Sequence, residues 1–172
     1  MRIAILGNSG SGKSTLAGWI RENTRAVSID LDNVAWEPHQ IAVPRAPDIA
    51  ARDVDTFCRA HESWVIEGCY ASLVSVALSH QPRLLFLNPG VDACTVHCRA
   101  RPWEPHKFAS KQAQDEHLSF LLKWVKEYYT RTGDMSLAAH TACFERYDGT
   151  KSIVTKTLDY AAPDADLRSW LR

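Results

Sequence analysis

The sequence predicts an α/β fold built on a parallel sheet. Two observations predict it: short apolar runs alternate with segments of helical periodicity, and a glycine-rich loop joins the first run to the first helix. Strands that alternate with helices form βαβ units, which build a parallel sheet with helices on its faces. The chain has 172 residues, which suits a single domain over 1–172, and it contains no internal repeat or Ser/Gly linker.

Five short runs are candidates for buried strands. Each has about four residues, mostly aliphatic or β-branched, and is bounded by Gly, Pro, Asp or Asn, as strands covered on both faces are. The runs are 3–6, 27–29, 64–66, 84–87 and 152–154.

Apolar residues at spacings of three and four predict helices between these strands. Two proline-containing segments, at about 36–48 and 102–106, interrupt the pattern and predict loops over a site. The closing segment 164–172 is predicted to be helical as well. The residues that form apolar helix faces are Leu16, Trp19 and Ile20; Val54, Phe57 and Cys58; Leu118, Leu121, Leu122, Val125 and Tyr128; and Leu167, Trp170 and Leu171.

The loop after the first predicted strand matches the phosphate-binding pattern G-x-x-x-x-G-K-[ST]. Its glycines allow backbone conformations in which successive N–H groups point at phosphate oxygens. Lys13 supplies charge to the β- and γ-phosphates, and the Ser14 hydroxyl can ligate Mg²⁺. We therefore predict a nucleoside triphosphate site; the alternative is a flexible Gly/Ser turn without a ligand. The predicted nucleotide-binding residues are Gly7, Asn8, Ser9, Gly10, Ser11, Gly12, Lys13, Ser14 and Thr15.

The charge balance and the cysteines limit the partners and the location. Lys and Arg number 20 and Asp and Glu number 20, so the formal net charge at pH 7 is zero with His neutral. Proteins that bind nucleic acid or anionic membranes without specificity carry a cationic excess, so we expect neither partner. The five cysteines are odd in number and show no CxxC spacing, and no apolar stretch approaches the ~20 residues that span a bilayer. We expect a cytoplasmic monomer or homodimer.

Missing motifs narrow the class of nucleotide-binding protein. A switch GTPase would add Asn-Lys-x-Asp and Asp-x-x-Gly, and a motor ATPase would add four apolar residues followed by Asp-Glu. None of these strings occurs. A small phosphotransferase remains, and it needs an acceptor site, an acidic group near Mg²⁺ and cations that cover the transferred phosphoryl group.

The order of features along the chain resembles the family of small P-loop kinases that includes adenylate, shikimate and gluconate kinases. Within that family it is most similar to the adenylate-kinase-related DNA topology modulation proteins. The resemblance implies a three-layer αβα P-loop NTPase fold like that of nucleoside monophosphate kinases, with a five-stranded parallel sheet in the order 2-3-1-4-5. It also implies an acceptor-side segment at about 33–62 and a short lid at about 101–116. The similar parts are the phosphate loop, Ile29-Asp30-Leu31-Asp32 with Trp36 four residues on, residues 64–70, 84–89, Arg99 with Arg101, and 147–151.

Asp30 and Asp32 end the second predicted strand, so both should lie at the carboxyl edge of the sheet beside the phosphate loop. By resemblance to shikimate-kinase-like members, Asp32 is expected to bind the acceptor or act as general base, and Asp30 to lie near Mg²⁺. The alternative is an Asx-type cap on a helix or turn that starts near Asn33. Trp36 follows this pair, where its ring could stack on a planar substrate.

The segment Glu67-Gly68-Cys69-Tyr70 stands where the resembled group has Asp-Gly-Asn-Tyr. Glu67 keeps a carboxylate that can reach Mg²⁺ through water, although its extra methylene changes that reach. The alternative is a strand-end carboxylate paired with a base. Gly68 and Tyr70 are expected to help line the acceptor pocket, and Cys69 is either a reactive thiol or a packed small hydrophobe.

Arg99 and Arg101 are the predicted catalytic arginines. In the resembled kinases, arginines here enter the lid that closes over ATP, and a guanidinium fork suits the charge spread over phosphoryl oxygens. The alternative is a surface role at a helix end. The segment 102–107 is predicted to be lid, without the cysteines that a zinc-bearing lid would need.

Cys94, His97 and Cys98 would fall close together on one helix, which raises the question of a metal site. They have no fourth ligand at a recognised spacing. We therefore expect the two thiols to pack against the sheet.

The leading hypothesis is an ATP- and Mg²⁺-dependent phosphotransferase that acts on a nucleotide or small-molecule acceptor. The alternative is an ATP-binding regulator or weak ATPase with a protein or DNA partner. No string in the acceptor-side segment identifies the acceptor.

Overall fold

Five parallel strands form the central sheet, in the order β2-β3-β1-β4-β5. A computed structural model describes residues 1–37, 43–103 and 108–171 of the chain. The strands are β1 (Arg2–Gly7), β2 (Val27–Asp30), β3 (Trp64–Gly68), β4 (Arg83–Leu87) and β5 (Lys151–Val154). The five predicted runs and the predicted strand order are thus confirmed, and each strand extends at most two residues beyond its run.

The helices lie on both faces of the sheet. Their bounds are α1 (Lys13–Asn23), α2 (Asp32–Ala35), α3 (Pro47–Ala60), α4 (Ala71–Leu78), α5 (Val91–Ala100), α6 (Lys111–Glu127), α7 (Leu137–Arg146) and α8 (Ala165–Ser169). The predicted terminal helix begins where the Asp164 side chain accepts a hydrogen bond from the N–H of Leu167 at 2.9 Å, a typical N-cap. Its last predicted residue, Arg172, lies outside the described residues.

The alternation of side chains along β1 divides the core into two layers. Ala4 and Leu6 pack in a cluster with residues of α2, α3, α4 and α7. Ile3 and Ile5 pack in a second cluster with residues of α1 and α8. The two central strands β1 and β4 therefore carry uninterrupted apolar residues, Ile3 to Leu6 and Leu84 to Leu87, which is the pattern of continuous apolar runs seen in the sequence.

Strand register brings distant sequence motifs to one edge of the sheet. Asp30 at the end of β2 is paired with Glu67 at the end of β3. On β1, Leu6 is paired with Gly68 and Gly7 with Leu87. Because all strands are parallel, their carboxyl ends and the loops that follow meet at this edge.

The two predicted loop segments are described only in part. In the first, Trp36 forms an isolated antiparallel bridge with Pro44, and 38–42 lie outside the described residues. In the predicted lid, 104–107 lie outside them, and α6 already begins at Lys111. Among the described helices, none has the length and apolar character needed to cross a bilayer.

Candidate active site

A cleft of about 520 Å³ opens at the carboxyl edge of the sheet. Clefts of this volume are the size of small-molecule and cofactor sites. Its walls come from the phosphate loop, from the ends of β2 and β3, from the end of α5 and from the segment after β5. The lining residues are Ser9, Gly10, Ser11, Gly12, Lys13, Ser14, Thr15, Asp30, Asp32, Glu67, Gly68, Cys69, His97, Ala100, Arg101, Pro102, Thr157, Leu158 and Tyr160.

The phosphate loop lines this cleft with hydrogen-bond donors. Helix α1 begins at Lys13, so its N-terminal N–H groups and the positive end of its dipole face the loop. Lys13 is only 8% exposed, and its ammonium donates to the carbonyl of Asn8 at 3.0 Å. Ser11 has a buried hydroxyl with no hydrogen-bond partner among the described residues. A buried cation and an orphaned hydroxyl beside a helix N-terminus fit the phosphates of a nucleotide, which would satisfy all three.

Helix α5 packs against the phosphate loop at Gly10. Gly10 has a φ of 75°, and a Cβ on it would lie 2.3 Å from the carbonyl oxygen of Cys94 and 2.7 Å from the sulfur of Cys98. The His97 ring donates from Nδ1 to the carbonyl of Gly10 at 2.8 Å, since a carbonyl can only accept. The loop conformation therefore depends on the absence of a side chain at Gly10.

The expectation that Cys94 and Cys98 pack against the sheet was wrong. Both are buried, but they form a cluster with Val125 of α6 and contact the phosphate loop. Helix α5 packs against α6, so its cysteine face is turned to that helix and not to the strands. Within the described part of the chain, no group of three or more His, Cys, Asp or Glu is arranged to hold a metal ion.

Asn8 contributes to the loop as a structural residue. Its amide donates to the carbonyl of Val125 at 3.0 Å, and its side-chain oxygen accepts from the N–H of Ser9 at 2.9 Å. These bonds tie the phosphate loop to α6. Both polar groups of the Asn8 side chain are therefore hydrogen-bonded within the protein. The loop residues that line the cleft are Ser9 to Thr15, and Asn8 is not among them.

Three carboxylates meet at the ends of β2 and β3. The Asp30 side chain accepts from the backbone N–H of Asp32 at 2.9 Å, so the Asx-type turn considered from the sequence is present at the start of α2. Asp32 instead accepts a hydrogen bond from the Tyr70 hydroxyl at 2.8 Å. Both aspartates also line the cleft.

Glu67 lies deepest of the three, with 4% of its surface exposed. Burial raises the pKa of Glu67, and the charges of Asp30 and Asp32 act in the same direction, whereas Lys13 and a hydrogen bond from Ser14 oppose them. Glu67 therefore interacts with Lys13 and Ser14, the first two residues of α1. Ser14, Asp30 and Glu67 supply the hard oxygen atoms that Mg²⁺ prefers, and Mg²⁺ in such sites takes its remaining ligands from water and phosphate.

Cys69 is a packed residue and not an activated thiol. Burial raises the pKa of Cys69 to about 11, so the thiol stays protonated at neutral pH. Its carbonyl accepts from Nε2 of His140 at 2.8 Å, and Nδ1 of the same ring accepts from the Tyr128 hydroxyl at 2.8 Å. The backbone at the end of β3 is thereby fixed by a fully buried histidine.

The two predicted arginines lie in different surroundings. Arg101 is half-buried and lines the cleft, directly after the end of α5. Arg99 is exposed on the last turn of α5 and is not among the residues that line the cleft. Helical geometry separates them, because α5 ends at Ala100 and Arg101 is already extended.

Sequence reasoning missed one wall of the cleft. Thr157, Leu158 and Tyr160 line it from the segment after β5, and Tyr160 also contacts Trp19 with ring centroids 5.9 Å apart. The available signal was their position just beyond a predicted strand, since ligands in parallel sheets bind at the carboxyl ends of strands. His97 was also missed as a support of the phosphate loop.

The sequence matches no protein-family model and no curated protein sequence. Solved structures with a similar fold do exist. A sugar kinase from Janibacter sp. HTCC2649 superposes with a TM-score of 0.56 at 15% identity, covering 99% of this chain and 93% of that one. For a shikimate kinase from Bacteroides thetaiotaomicron the TM-score is 0.53 at 16% identity, with 99% and 94% covered. For a gluconokinase from Sinorhizobium meliloti 1021 it is 0.51 at 18% identity, with 99% and 88% covered.

Fold and phosphate loop together define a P-loop αβα protein. More particularly, the chain has the fold of P-loop small-molecule kinases over almost its whole length. At these identities the likeness establishes the fold, and what the chain does has to be argued from its own cleft.

Proposed function

We propose that this protein is an ATP-dependent phosphotransferase that acts on a hydroxyl of a small-molecule or nucleotide acceptor. One observation carries the proposal: Lys13, Asp32 and Arg101 line the same cleft, although they come from three separate parts of the sequence. Phosphoryl transfer requires a phosphate cradle, a group that takes the acceptor's proton and cations for the developing charge. The fold of three solved kinases supports the same class.

Each residue has a part in the proposed reaction. The phosphate loop binds the triphosphate through its N–H groups, and Lys13 contacts the β- and γ-phosphates. The acceptor oxygen forms a bond to the γ-phosphorus while the bond to the β–γ bridging oxygen breaks, and the hydroxyl proton goes to Asp32. Arg101 stabilises negative charge on the transferred group, and Arg99 in the last turn of α5 is the second arginine proposed for this part.

Mg²⁺ is part of the proposal because of the donor set at the strand ends. Ser14, Asp30 and Glu67 are the residues that would hold it, directly or through water. When bound with the nucleotide, Mg²⁺ neutralises charge on the phosphates. A cytoplasmic location is also proposed, since all five cysteines are free and buried.

The acceptor would lie on the side of Asp32 and Gly68, which line the cleft. Trp36 and Tyr70, which the sequence also suggested for this pocket, are not among the lining residues and lie behind Asp32, where the Tyr70 hydroxyl bonds to it. The structural neighbours suggest the first compounds to test: a sugar, shikimate and gluconate. Nucleoside monophosphates complete the panel, because the sequence resembles adenylate-kinase-related proteins.

A coupled assay of ADP release tests the proposal. ATP and Mg²⁺ are supplied with each acceptor in turn, and Lys13→Met serves as the inactive control. ADP release that rises with one acceptor, together with the phosphorylated product in a mass spectrum, supports the kinase. A rate that no acceptor changes but that DNA or a protein partner alters supports the regulatory ATPase and overturns the kinase.

A further inference from the structure

One imidazole ring contacts the backbone of the phosphate loop from outside the loop. His97 of α5 donates from Nδ1 to the carbonyl oxygen of Gly10 at 2.8 Å. His97 is half-buried, and both residues line the cleft. The hydrogen bond therefore lies at the nucleotide site of the proposed function.

The carbonyl that His97 holds belongs to a glycine in a tight turn. The N–H of Ser11 donates to the carbonyl of Asn8 at 3.2 Å, so the residues from Asn8 to Ser11 form a four-residue turn. Gly10 is the third residue of this turn and has a φ of 75°, a conformation for which turns use glycine. Because a glycine backbone is less restricted than that of any other residue, the turn alone holds the Gly10 carbonyl only loosely.

The direction of this carbonyl matters for anion binding. A phosphate loop attracts anions because its N–H groups, and not its carbonyl oxygens, face the ligand. The peptide group is planar, so a rotation that turned the Gly10 carbonyl inward would also carry the Ser11 N–H away from Asn8. It would place a partial negative charge beside the phosphates. The hydrogen bond from His97 keeps the carbonyl on the side of α5 and opposes this rotation.

A second hydrogen bond fastens the same turn to the next helix. The Asn8 amide donates to the carbonyl of Val125 in α6 at 3.0 Å, and Asn8 is 2% exposed. Helices α5 and α6 pack against each other. The first and third residues of the turn are thus held by one pair of packed helices, at Asn8 and at Gly10.

We propose that His97 is a positioning residue for the nucleotide, which holds the Gly10 carbonyl out of the phosphate loop and so sets the loop for a triphosphate before ATP binds. The inference rests on the proposed function, because it concerns the same nucleotide site. His97 acts through Gly10 and does not react itself. A loop that is ordered before binding loses less conformational entropy when the phosphates arrive, so its affinity for them is higher.

A pair of substitutions tests which ring nitrogen is responsible. The side-chain nitrogen of asparagine reaches close to the position of Nδ1, and that of glutamine reaches close to the position of Nε2. His97→Asn can therefore keep the donor to Gly10, whereas His97→Gln loses it. Calorimetry measures the affinity for tripolyphosphate, which has the phosphates of ATP without its base and ribose. The affinity should fall about three- to tenfold in His97→Gln, the size of one hydrogen bond, and stay close to wild type in His97→Asn.

His61→Gln is the matched control. His61 is also half-buried, and its Nδ1 lies 2.9 Å from a helix carbonyl, that of Phe57, but it does not line the cleft. Its substitution should leave the tripolyphosphate affinity unchanged. Thermal unfolding without ligand is recorded for every variant, and affinities are compared at a temperature at which all are folded.

Three results would overturn the inference. If His97→Gln is less stable than wild type but binds tripolyphosphate equally well, His97 has only a structural part. A loss of affinity in His97→Asn that His97→Gln does not show would indicate direct contact through Nε2. Equal losses in both variants would assign the effect to the ring and not to the Nδ1 donor.

A measurement on the unaltered protein keeps the inference testable should His97→Gln fail to fold. Two-bond ¹H–¹⁵N NMR spectra of histidine-labelled protein distinguish the two neutral tautomers at about pH 8.5, where an ordinary imidazole is uncharged. His97→Asn identifies the resonance. The His97 proton should reside on Nδ1 both with and without tripolyphosphate. A proton on Nε2 in either state contradicts the inference.

Kinetics separate this inference from the proposed function. In His97→Gln the KM for ATP should rise about as much as the tripolyphosphate affinity falls, with little change in kcat, because the lost interaction serves binding in the ground state and the transition state alike. A wild-type protein that binds tripolyphosphate but phosphorylates none of the acceptors overturns the proposed kinase. The comparison of affinities in His97→Asn and His97→Gln still decides whether His97 positions the loop.

Discussion

The carbonyl oxygen of Gly10 accepts a hydrogen bond from Nδ1 of His97 at 2.8 Å, and this bond fastens the phosphate loop to α5. The same glycine has no room for a side chain, because Cys94 and Cys98 lie against it. The loop is thus shaped by a helix that lies almost ninety residues further along the chain. The conformation of this loop depends on tertiary packing as much as on its own glycines.

Gly10→Ala should destabilise the protein more than another glycine substitution at positive φ. At φ 75° an alanine costs about 1–2 kcal/mol, and contact with the Cys94 carbonyl adds an overpacking cost of about 1–3 kcal/mol. Gly133→Ala is the matched control, since its φ is 90° but nothing lies within 4 Å of the new Cβ. Urea unfolding of both variants measures the difference. Equal losses of stability would show that backbone strain alone matters.

Lys13→Met should remove most of the catalytic activity without unfolding the protein. Loss of one preorganised charged donor to phosphate lowers kcat by about 10²–10³. Met keeps the length and the buried stem of the side chain, so thermal stability without ligand should stay close to wild type. Stabilisation by ATP with Mg²⁺ in a thermal shift assay should fall sharply. Lys126→Met, an exposed lysine on α6, is the control; if both variants lose activity equally, the loop lysine has no special part.

Asp32→Asn should abolish phosphoryl transfer and spare ATP binding. Asn keeps the shape of the side chain and can still accept from Tyr70, but it cannot take a proton from the acceptor. Loss of a general base lowers kcat by about 10²–10⁴, whereas the ATP affinity measured by calorimetry should change little. Asp48→Asn, an exposed position at the start of α3, should behave as wild type. Full turnover in Asp32→Asn would exclude it as the base.

Stability should fall in acid as His140 becomes protonated. Burial lowers the pKa of His140 to about 4, below the 6.5 of an ordinary histidine. Between pH 6.5 and 4 the unfolded chain binds a proton that the folded chain does not, so stability decreases as the pH falls. The contribution present above pH 6.5 and lost by pH 4 is roughly 3 kcal/mol at most.

Denaturant unfolding between pH 4 and 7 measures this loss. His140→Gln keeps side-chain hydrogen bonding toward Tyr128 and Cys69 but does not titrate, so its stability curve should be flatter over that range. A variant with the same pH dependence as wild type would assign the acid sensitivity to other groups.

Local patterns in the sequence were sufficient to predict the strands of the sheet. The apolar runs at 3–6 and 84–87 are short and uninterrupted because their strands are covered on both faces by helices. The glycine-rich loop is equally local, since its lysine and hydroxyl residues follow one another along the chain. For the same reason, the helices are visible as apolar residues at spacings of three and four.

The site beyond the phosphate loop depends on contacts between distant residues. Asp30 and Asp32 are equivalent in the sequence, yet one closes an Asx turn and the other accepts from Tyr70, because only the tertiary structure places that hydroxyl. From the sequence alone, the Trp36 ring could stack on a planar ligand. The structure shows instead that its N–H donates to the Tyr70 hydroxyl.

The sequence by itself determined the αβα fold, the phosphate loop and the edge of the sheet where the chemistry should lie. Only the tertiary structure decided which side chains at that edge face one another. It placed Arg101 in the cleft and left Arg99 exposed, and it turned the cysteines of α5 toward α6 and the loop. Periodicity and motifs depend on residues that are close together along the chain, so they predict local structure. Side-chain partners are chosen by packing between elements, which leaves no local signal in the sequence.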